Sequence, residues 1–284
     1  MAEIKEYDSD VEIKWCPGCG NFGILAAMKD ALAALGISPE KILIISGIGQ
    51  AAKTPHYLKC NLFHALHGRA LPLATGAKIA NHELTIMVNS GDGDCYGEGG
   101  NHFMHAIRRN IDITVLVHNN KVYGLTKGQA SPTSDEGMTT KMQSDGVISE
   151  TFNPLSVALA LGAGFVARSF SGRAEHLSKI IREGIKHKGF SLIDILQPCV
   201  SFNNVNTFDW YRKRMYDLFE EGYIPDDFNK AMELSGMWGD KIPIGIMYRK
   251  EKPSYTDKIK RLKENTLISG KYLPEKVQSV IESL

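Results

Sequence analysis

The residues with the clearest chemistry are Gly91-Asp92-Gly93-Asp94 and, further along, Asn119-Asn120. Each group follows a short apolar run, residues 84–88 for the first and 113–117 for the second. Such runs read as buried strands, so an acid and an amide stand at two strand ends. A hard divalent cation such as Mg²⁺ takes oxygen ligands and binds phosphates through one or two protein groups. Asp92 supplies the anion; the Asn120 side-chain oxygen and the Val122 carbonyl are placed for two more ligands. Gly91 and Gly93 let the backbone close on a phosphate. A helix expected after Glu98 offers free N–H groups at its positive end. Either half alone reads as a surface turn. Both together, each after its own strand, point to a metal-bridged diphosphate, with thiamine diphosphate as the cofactor.

The elements that must hold these groups alternate. Apolar runs at 42–45, 84–88, 113–117, 165–167 and 191–196 predict strands. Helical spacing predicts helices at 22–35, ending on Gly36, and at 73–81, 99–109, 155–161 and 174–187. Strand–helix alternation predicts an α/β fold with a mostly parallel, doubly wound sheet and helices on both faces. Residues 51–65 are ambiguous because of Pro55. Residues 121–150 are polar and loop-like, and a loop of that length is more often functional than idle. After residue 206 aromatic and charged residues increase. The expected organisation is a cofactor-binding domain over 1–206 and a C-terminal extension of helices and irregular segments over 207–284.

The chain has 284 residues, 43% hydrophobic and 23% charged, with formal net charge +1. That balance gives no electrostatic case for nucleic acid or a membrane surface. No apolar run approaches the roughly 18 residues of a spanning helix. The polar, acidic start lacks the apolar core of a secretory signal, which makes the cytoplasm the expected location. There the five cysteines are metal or redox candidates rather than disulfides.

The pairing of Gly91-Asp92-Gly93 with Asn119-Asn120 resembles the thiamine-diphosphate signature. Four further segments narrow the resemblance: Trp15-Cys16-Pro17-Gly18-Cys19-Gly20, Ser46-Gly47-Ile48-Gly49, His67-Gly68-Arg69-Ala70 and Val122-Tyr123-Gly124-Leu125-Thr126-Lys127-Gly128-Gln129. Over roughly residues 10 to 255 the chain is similar to β subunits of 2-oxoacid:ferredoxin oxidoreductases, most of all those of the 2-oxoglutarate and broad-specificity types. The resemblance places the metal on Asp92, Asn120 and the Val122 carbonyl, as the residues themselves do. It implies cofactor contacts at Gly47, Ile48, His67 and Gly93, and Gly91, Asp94 and Leu125 fall in the same matched segments.

The resemblance also implies a [4Fe–4S] cluster on four cysteines. Cys16, Cys19 and Cys199 match three of them. The fourth commonly follows the Ser-Gly-Ile-Gly turn, where this chain has Gln50. Cys60 is the favoured replacement, with Cys95 the alternative. Zinc or no metal at the Cys-x-x-Cys turn is the competing reading. The implied reaction is coenzyme A-dependent oxidative decarboxylation of a 2-oxoacid, with electrons leaving to ferredoxin. A non-oxidative thiamine-dependent decarboxylase subunit is the runner-up, and pyruvate or a branched-chain 2-oxoacid the alternative substrate. The core is long enough for one diphosphate-type domain only, so a partner α subunit is expected to supply the pyrimidine-type domain. Lys53 and Lys127 are candidates, with His67, for the catalytic centre, either lysine favouring a dicarboxylic substrate such as 2-oxoglutarate.

Overall fold

Apolar runs serve two cores at once because neighbouring strand residues point to opposite faces. Ile45, Val88, Val115 and Val117 pack on one face with Leu71, Phe103, Ile107 and Leu155. Ile44, Met87 and Leu116 pack on the other with Ile24, Met28, Leu177 and Ile181. A strand buried on both faces has no polar side to alternate with, hence the continuous hydrophobic runs.

The computed structural model describes residues 3–270 and 274–283. Its strands are β1 (Ile42–Ser46), β2 (Asn61–His64), β3 (Thr85–Gly91), β4 (Ile113–Asn119), β5 (Val122–Tyr123), β6 (Gln129–Ala130), β7 (Phe165–Phe170), β8 (Phe190–Leu196), β9 (Met215–Asp217) and β10 (Ile242–Arg249). Eight form one sheet in the order β2-β1-β3-β4-β8-β7-β10-β9, while β5 and β6 form a separate hairpin. All pairings in the large sheet are parallel except that of β10 with β7. Helices α1 (Asn21–Leu35) and α5 (Ala174–Lys186) cover one face; α2 (Ala70–Ala80), α3 (Gly100–Arg109) and α4 (Pro154–Ala160) cover the other. This is the expected doubly wound α/β architecture. Helix α1 ends as predicted at Gly36, whose φ of 64° is left-handed.

One ambiguity is resolved and one expectation corrected. Residues 51–65 are neither one helix nor a plain loop. They form a 3₁₀ segment, Ala51–Tyr57, carrying Pro55, and then the edge strand β2. Every residue of β2 is exposed, so its sequence carries no burial pattern to read. Residues 207–284 are not only helical and irregular: β10 is almost wholly buried and, with β9, extends the sheet beyond β7.

Candidate active site

The carboxyl ends of the parallel strands form the working edge of the sheet. One cleft there draws on four neighbouring segments. The turn after β1 supplies Ile48, and the turn before α2 supplies His67. The end of β3 supplies Gly91, Asp92, Gly93 and Asp94, and the chain beyond β4 supplies Asn120, Val122 and Leu125. Gly47 stands immediately behind, against Asp94.

Asp92 is 1% exposed. Two hydroxyls meet its Oδ2, from Ser131 Oγ at 2.5 Å and Thr133 Oγ1 at 2.6 Å. Burial raises its pKa above the usual carboxylate range, and the two hydroxyl bonds pull it back part of the way. The first asparagine of the pair is structural. Asn119 Oδ1 lies 2.9 Å from Thr133 Oγ1, and its Nδ2 donates to the buried Asp194 at 3.1 Å. The second asparagine lines the cleft, its Oδ1 accepting from Val122 N–H at 3.0 Å with lone-pair capacity to spare. Carboxylate and amide oxygens are the hard donors a divalent cation takes.

The chain reverses between Asn120 and Val122 through Lys121, whose φ of 62° is left-handed, an uncommon conformation for a side chain of this length. Its buried ammonium holds the turn, donating to Thr133 O at 2.8 Å and Asp135 Oδ1 at 2.6 Å. The loop from 121 to 150 therefore folds back across the strand ends and delivers the two hydroxyls to Asp92.

Asp94 is a strut. Its carboxylate accepts from Ile48 N–H at 3.0 Å, Gly68 N–H at 2.8 Å and Ser90 Oγ at 2.5 Å, with His67 Nδ1 at 2.9 Å. A Cβ on Gly47 would collide with Asp94 Oδ2, and one on Gly93 with the Tyr123 ring, so both positions require glycine. The helical N-terminus beside Asp92 also begins earlier than predicted. A π-helical turn, Gly93–Glu98, precedes α3 and closes with Gly99 N–H on Asp94 O at 2.9 Å.

A second cleft adjoins the first and shares Gln50, Asn120 and Gly124 with it. Cys16, Cys19 and Cys199 line it. Cys19 N–H donates to Cys16 O at 3.0 Å, and Gly20 N–H to Pro198 O at 3.4 Å, which brings the two cysteine-bearing turns together. Burial, with the neighbouring Cys199 and Cys16 adding to it, pushes the Cys19 thiol up to about 11.

Residues 46–195 match the family model described as thiamine pyrophosphate enzyme, C-terminal TPP binding domain. Residues 199–264 match the C-terminal model of the pyruvate ferredoxin oxidoreductase β subunit. A 2-oxoacid:ferredoxin oxidoreductase subunit β from Saccharolobus solfataricus is 47% identical over 84% of this chain and 82% of its own length. The chain belongs to this β-subunit family. The family's members are subunits of heteromeric oxidoreductases. A 2-oxoglutarate synthase subunit KorB from Methanocaldococcus jannaschii is 37% identical over 88% of this chain and 92% of its own. The solved 2-oxoglutarate:ferredoxin oxidoreductase from Magnetococcus marinus, which holds 2-oxoglutarate, coenzyme A and succinyl-CoA, superposes with a TM-score of 0.91. That match is at 36% identity and covers 98% of this chain and 96% of the other.

Some expected site residues of this β subunit lie elsewhere. Cys60 does not join the other three cysteines. It precedes β2, whose Asn61 pairs with Leu43 near the start of β1, so it lies at the amino end of the parallel strands. Burial there pushes its thiol up to about 12. Cys95 does not face the cofactor cleft; it is buried in the core with Phe103 and Ile107. The Lys53 ammonium rests on Lys14 O at 3.3 Å, and Lys127 is an exposed turn residue with φ of 82°. Neither lysine lines the cofactor cleft. Sequence reasoning missed Ser131, Thr133 and Lys121. The hydroxyl cluster Ser131-Pro132-Thr133-Ser134 is visible in the chain, but nothing local pairs it with Asp92. No helix of the described residues is long and apolar enough to cross a membrane.

Proposed function

We propose that this β subunit binds thiamine diphosphate through Mg²⁺ held by Asp92, the Asn120 side chain and the Val122 carbonyl. In its heteromer it serves the coenzyme A-dependent oxidative decarboxylation of a 2-oxoacid, with 2-oxoglutarate the substrate and ferredoxin the electron acceptor. The single observation that carries this reading is the contact between the two clefts. Gln50, Asn120 and Gly124 line both, which supports a redox centre beside the cofactor. A non-oxidative decarboxylase has no use for that neighbour. The choice of 2-oxoglutarate draws on the relatives and the solved neighbour bearing that name.

Thiamine diphosphate held by Asp92, the Asn120 side chain and the Val122 carbonyl through Mg²⁺ would supply a nucleophilic carbon and an electron sink for decarboxylation of a 2-oxoacid. The chain's own residues position it. Asp92 offers an anionic oxygen oriented by Ser131 and Thr133. The glycines at 91 and 93 allow backbone approach to the diphosphate. The strut at Asp94 holds the His67 ring at the cleft wall through Nδ1. The second cleft presents thiols where a soft metal centre would carry single electrons.

The chain contributes a diphosphate-type domain, and we assign the aminopyrimidine half of the site to a partner subunit. The test is reconstitution with that partner, following 2-oxoglutarate- and coenzyme A-dependent reduction of ferredoxin or a viologen dye. The isolated chain is expected to be inactive. Turnover by the chain alone, or CO₂ release with no electrons delivered, would refute the reading.

A further inference from the structure

A cavity of about 200 Å³ shares no lining residue with the cofactor cleft. Strands β4, β8 and β7 contribute Asn119, Asp194 and Arg168 to its wall, and the loop after β4 contributes Lys121 and Thr133. Two of these are cations that are almost wholly buried, Lys121 at 2% exposed and Arg168 at 4%. Both lie over the Trp238 ring, Lys121 Nζ at 4.2 Å from its centre and the Arg168 guanidinium carbon at 5.6 Å. Their fates differ. Lys121 is paired with Asp135 at 2.6 Å. Arg168 forms no ion pair among the described residues, where ion pairs are counted to 4.0 Å. An Nη reaches Met237 O at 3.5 Å, and the buried Nε has no partner at all. Asp194 stands beside Arg168 in the register of the sheet, but its carboxylate accepts from Tyr96 Oη at 3.0 Å and Asn119 Nδ2 at 3.1 Å instead.

Charges buried in a protein are ordinarily paired, and this guanidinium is not. Its open N–H groups line a cavity with more room than one water needs. We infer that the cavity binds one small planar oxyanion of the carboxylate or bicarbonate class in the fork of Arg168, with the Lys121 ammonium adding to the attraction. The planar guanidinium matches such an anion with two parallel hydrogen bonds, which a spherical ion cannot use. Size sets the upper limit. Larger ligands occupy roughly 300–1,000 Å³, so neither a dinucleotide-sized molecule nor a coenzyme fits. Thr151 and Gly236 on the wall are exposed, so the anion enters from solvent. The site does not depend on the redox reading of the chain. It does adjoin the carboxylate that reading uses. Thr133 Oγ1, on the cavity wall, lies 2.6 Å from Asp92 Oδ2 and 2.9 Å from Asn119 Oδ1. Occupancy of the cavity and binding of the cofactor should therefore alter one another by the same factor. That coupling, unlike the site, rests on Asp92 serving thiamine diphosphate.

The experiment titrates the complex with its partner subunit, using formate and then bicarbonate at fixed pH and at an ionic strength held by chloride. Tryptophan fluorescence and calorimetry are read together. The expected result is saturable binding of one anion per β chain. Formamide, which has the plane of formate without its charge, should give no response, and added chloride none. Trp238→Phe should remove most of the fluorescence change while the calorimetric affinity stays within about threefold. Arg168→Gln should weaken binding at least about tenfold, the loss expected of a charge-assisted hydrogen bond. Arg168→Lys keeps the charge without the fork and should weaken binding at least about threefold; it carries the test if Arg168→Gln does not fold. Absence of saturable binding by either anion, equal binding of formamide or chloride, or unchanged affinity in Arg168→Lys would overturn the site. Thiamine diphosphate is then titrated with and without saturating formate, where a shift of at least about twofold is expected. No shift would overturn the coupling. Formate binding in a complex that takes up no thiamine diphosphate would overturn the function proposed above and leave the anion site standing.

Discussion

Thr133→Val tests how the Asp92 carboxylate, proposed above as a metal ligand, is held. The side chain is 2% exposed and valine nearly matches its shape, so the change removes a hydroxyl and little else. That hydroxyl lies 2.6 Å from Asp92 Oδ2 and 2.9 Å from Asn119 Oδ1. A hydrogen bond to a charged group contributes about 1.5–3 kcal/mol, which corresponds to roughly 10- to 100-fold in a binding constant. Loss of partners that orient a metal ligand falls in the same range, about 10–100-fold. The direction with pH follows from Asp92 itself. Burial raises its pKa and the Thr133 bond lowers it, so removing the bond raises it further. Affinity lost as pH falls is therefore lost at higher pH in the variant than in the parent. The assay is calorimetric titration of the assembled complex with thiamine diphosphate at fixed Mg²⁺, repeated at descending pH. Thr133→Ser keeps the hydroxyl and should stay near the parent. If Thr133→Val bound the cofactor within about twofold of both, the hydroxyl would not be orienting Asp92 and the account of the site would fail.

Gly47→Ala places a methyl group against Asp94 Oδ2 and should cost at least about tenfold in cofactor affinity, since the displaced carboxylate loses charge-assisted bonds. Gly76→Ala, where the added Cβ meets nothing within 4 Å, should leave binding unchanged and stabilise α2 by about 0.5–1 kcal/mol; equal losses from both would show that the collision is not the cause. His118 is buried, with a pKa lowered by burial from 6.5 to about 3. The unfolded chain therefore binds more protons below pH 6.5, and stability falls as pH drops from 6.5 toward 3. At pH 5 the loss is about 2 kcal/mol. Urea denaturation at pH 7 and pH 5 should show that loss in the parent and a smaller one in His118→Gln; an identical acid loss in both proteins would remove His118 from the explanation.

The cleft's acid and amide are legible because their signal is local: a glycine-flanked aspartate after one apolar run and an amide pair after another. The two-sided core is legible for the same reason, since 113–117 has no polar face. Ser131 and Thr133 are not legible. Their partner lies far off in the chain, and their approach depends on Lys121 adopting a left-handed turn. Cys60 shows the limit of spacing arguments. Its distance from Gln50 along the chain does not say that the intervening 3₁₀ segment runs back down the sheet edge, which puts the thiol at the wrong end of β2. Strand β10 could have been found, because residues 242–248 form an apolar run; Pro243 and Gly245 within it read as breakers. Strand β2 could not, because an exposed edge strand needs no hydrophobic pattern.

The Asp94 carboxylate links the turn after β1, the end of β3 and the turn before α2. Loops pinned in that way lose their conformational freedom when the polypeptide folds, and so have little left to lose when a ligand arrives. The empty and filled forms should then share one shape around those turns. Hydrogen exchange at Ile48 and Gly68 should be slow in both, with uptake limited by diffusion and subunit assembly rather than by ordering of the pocket.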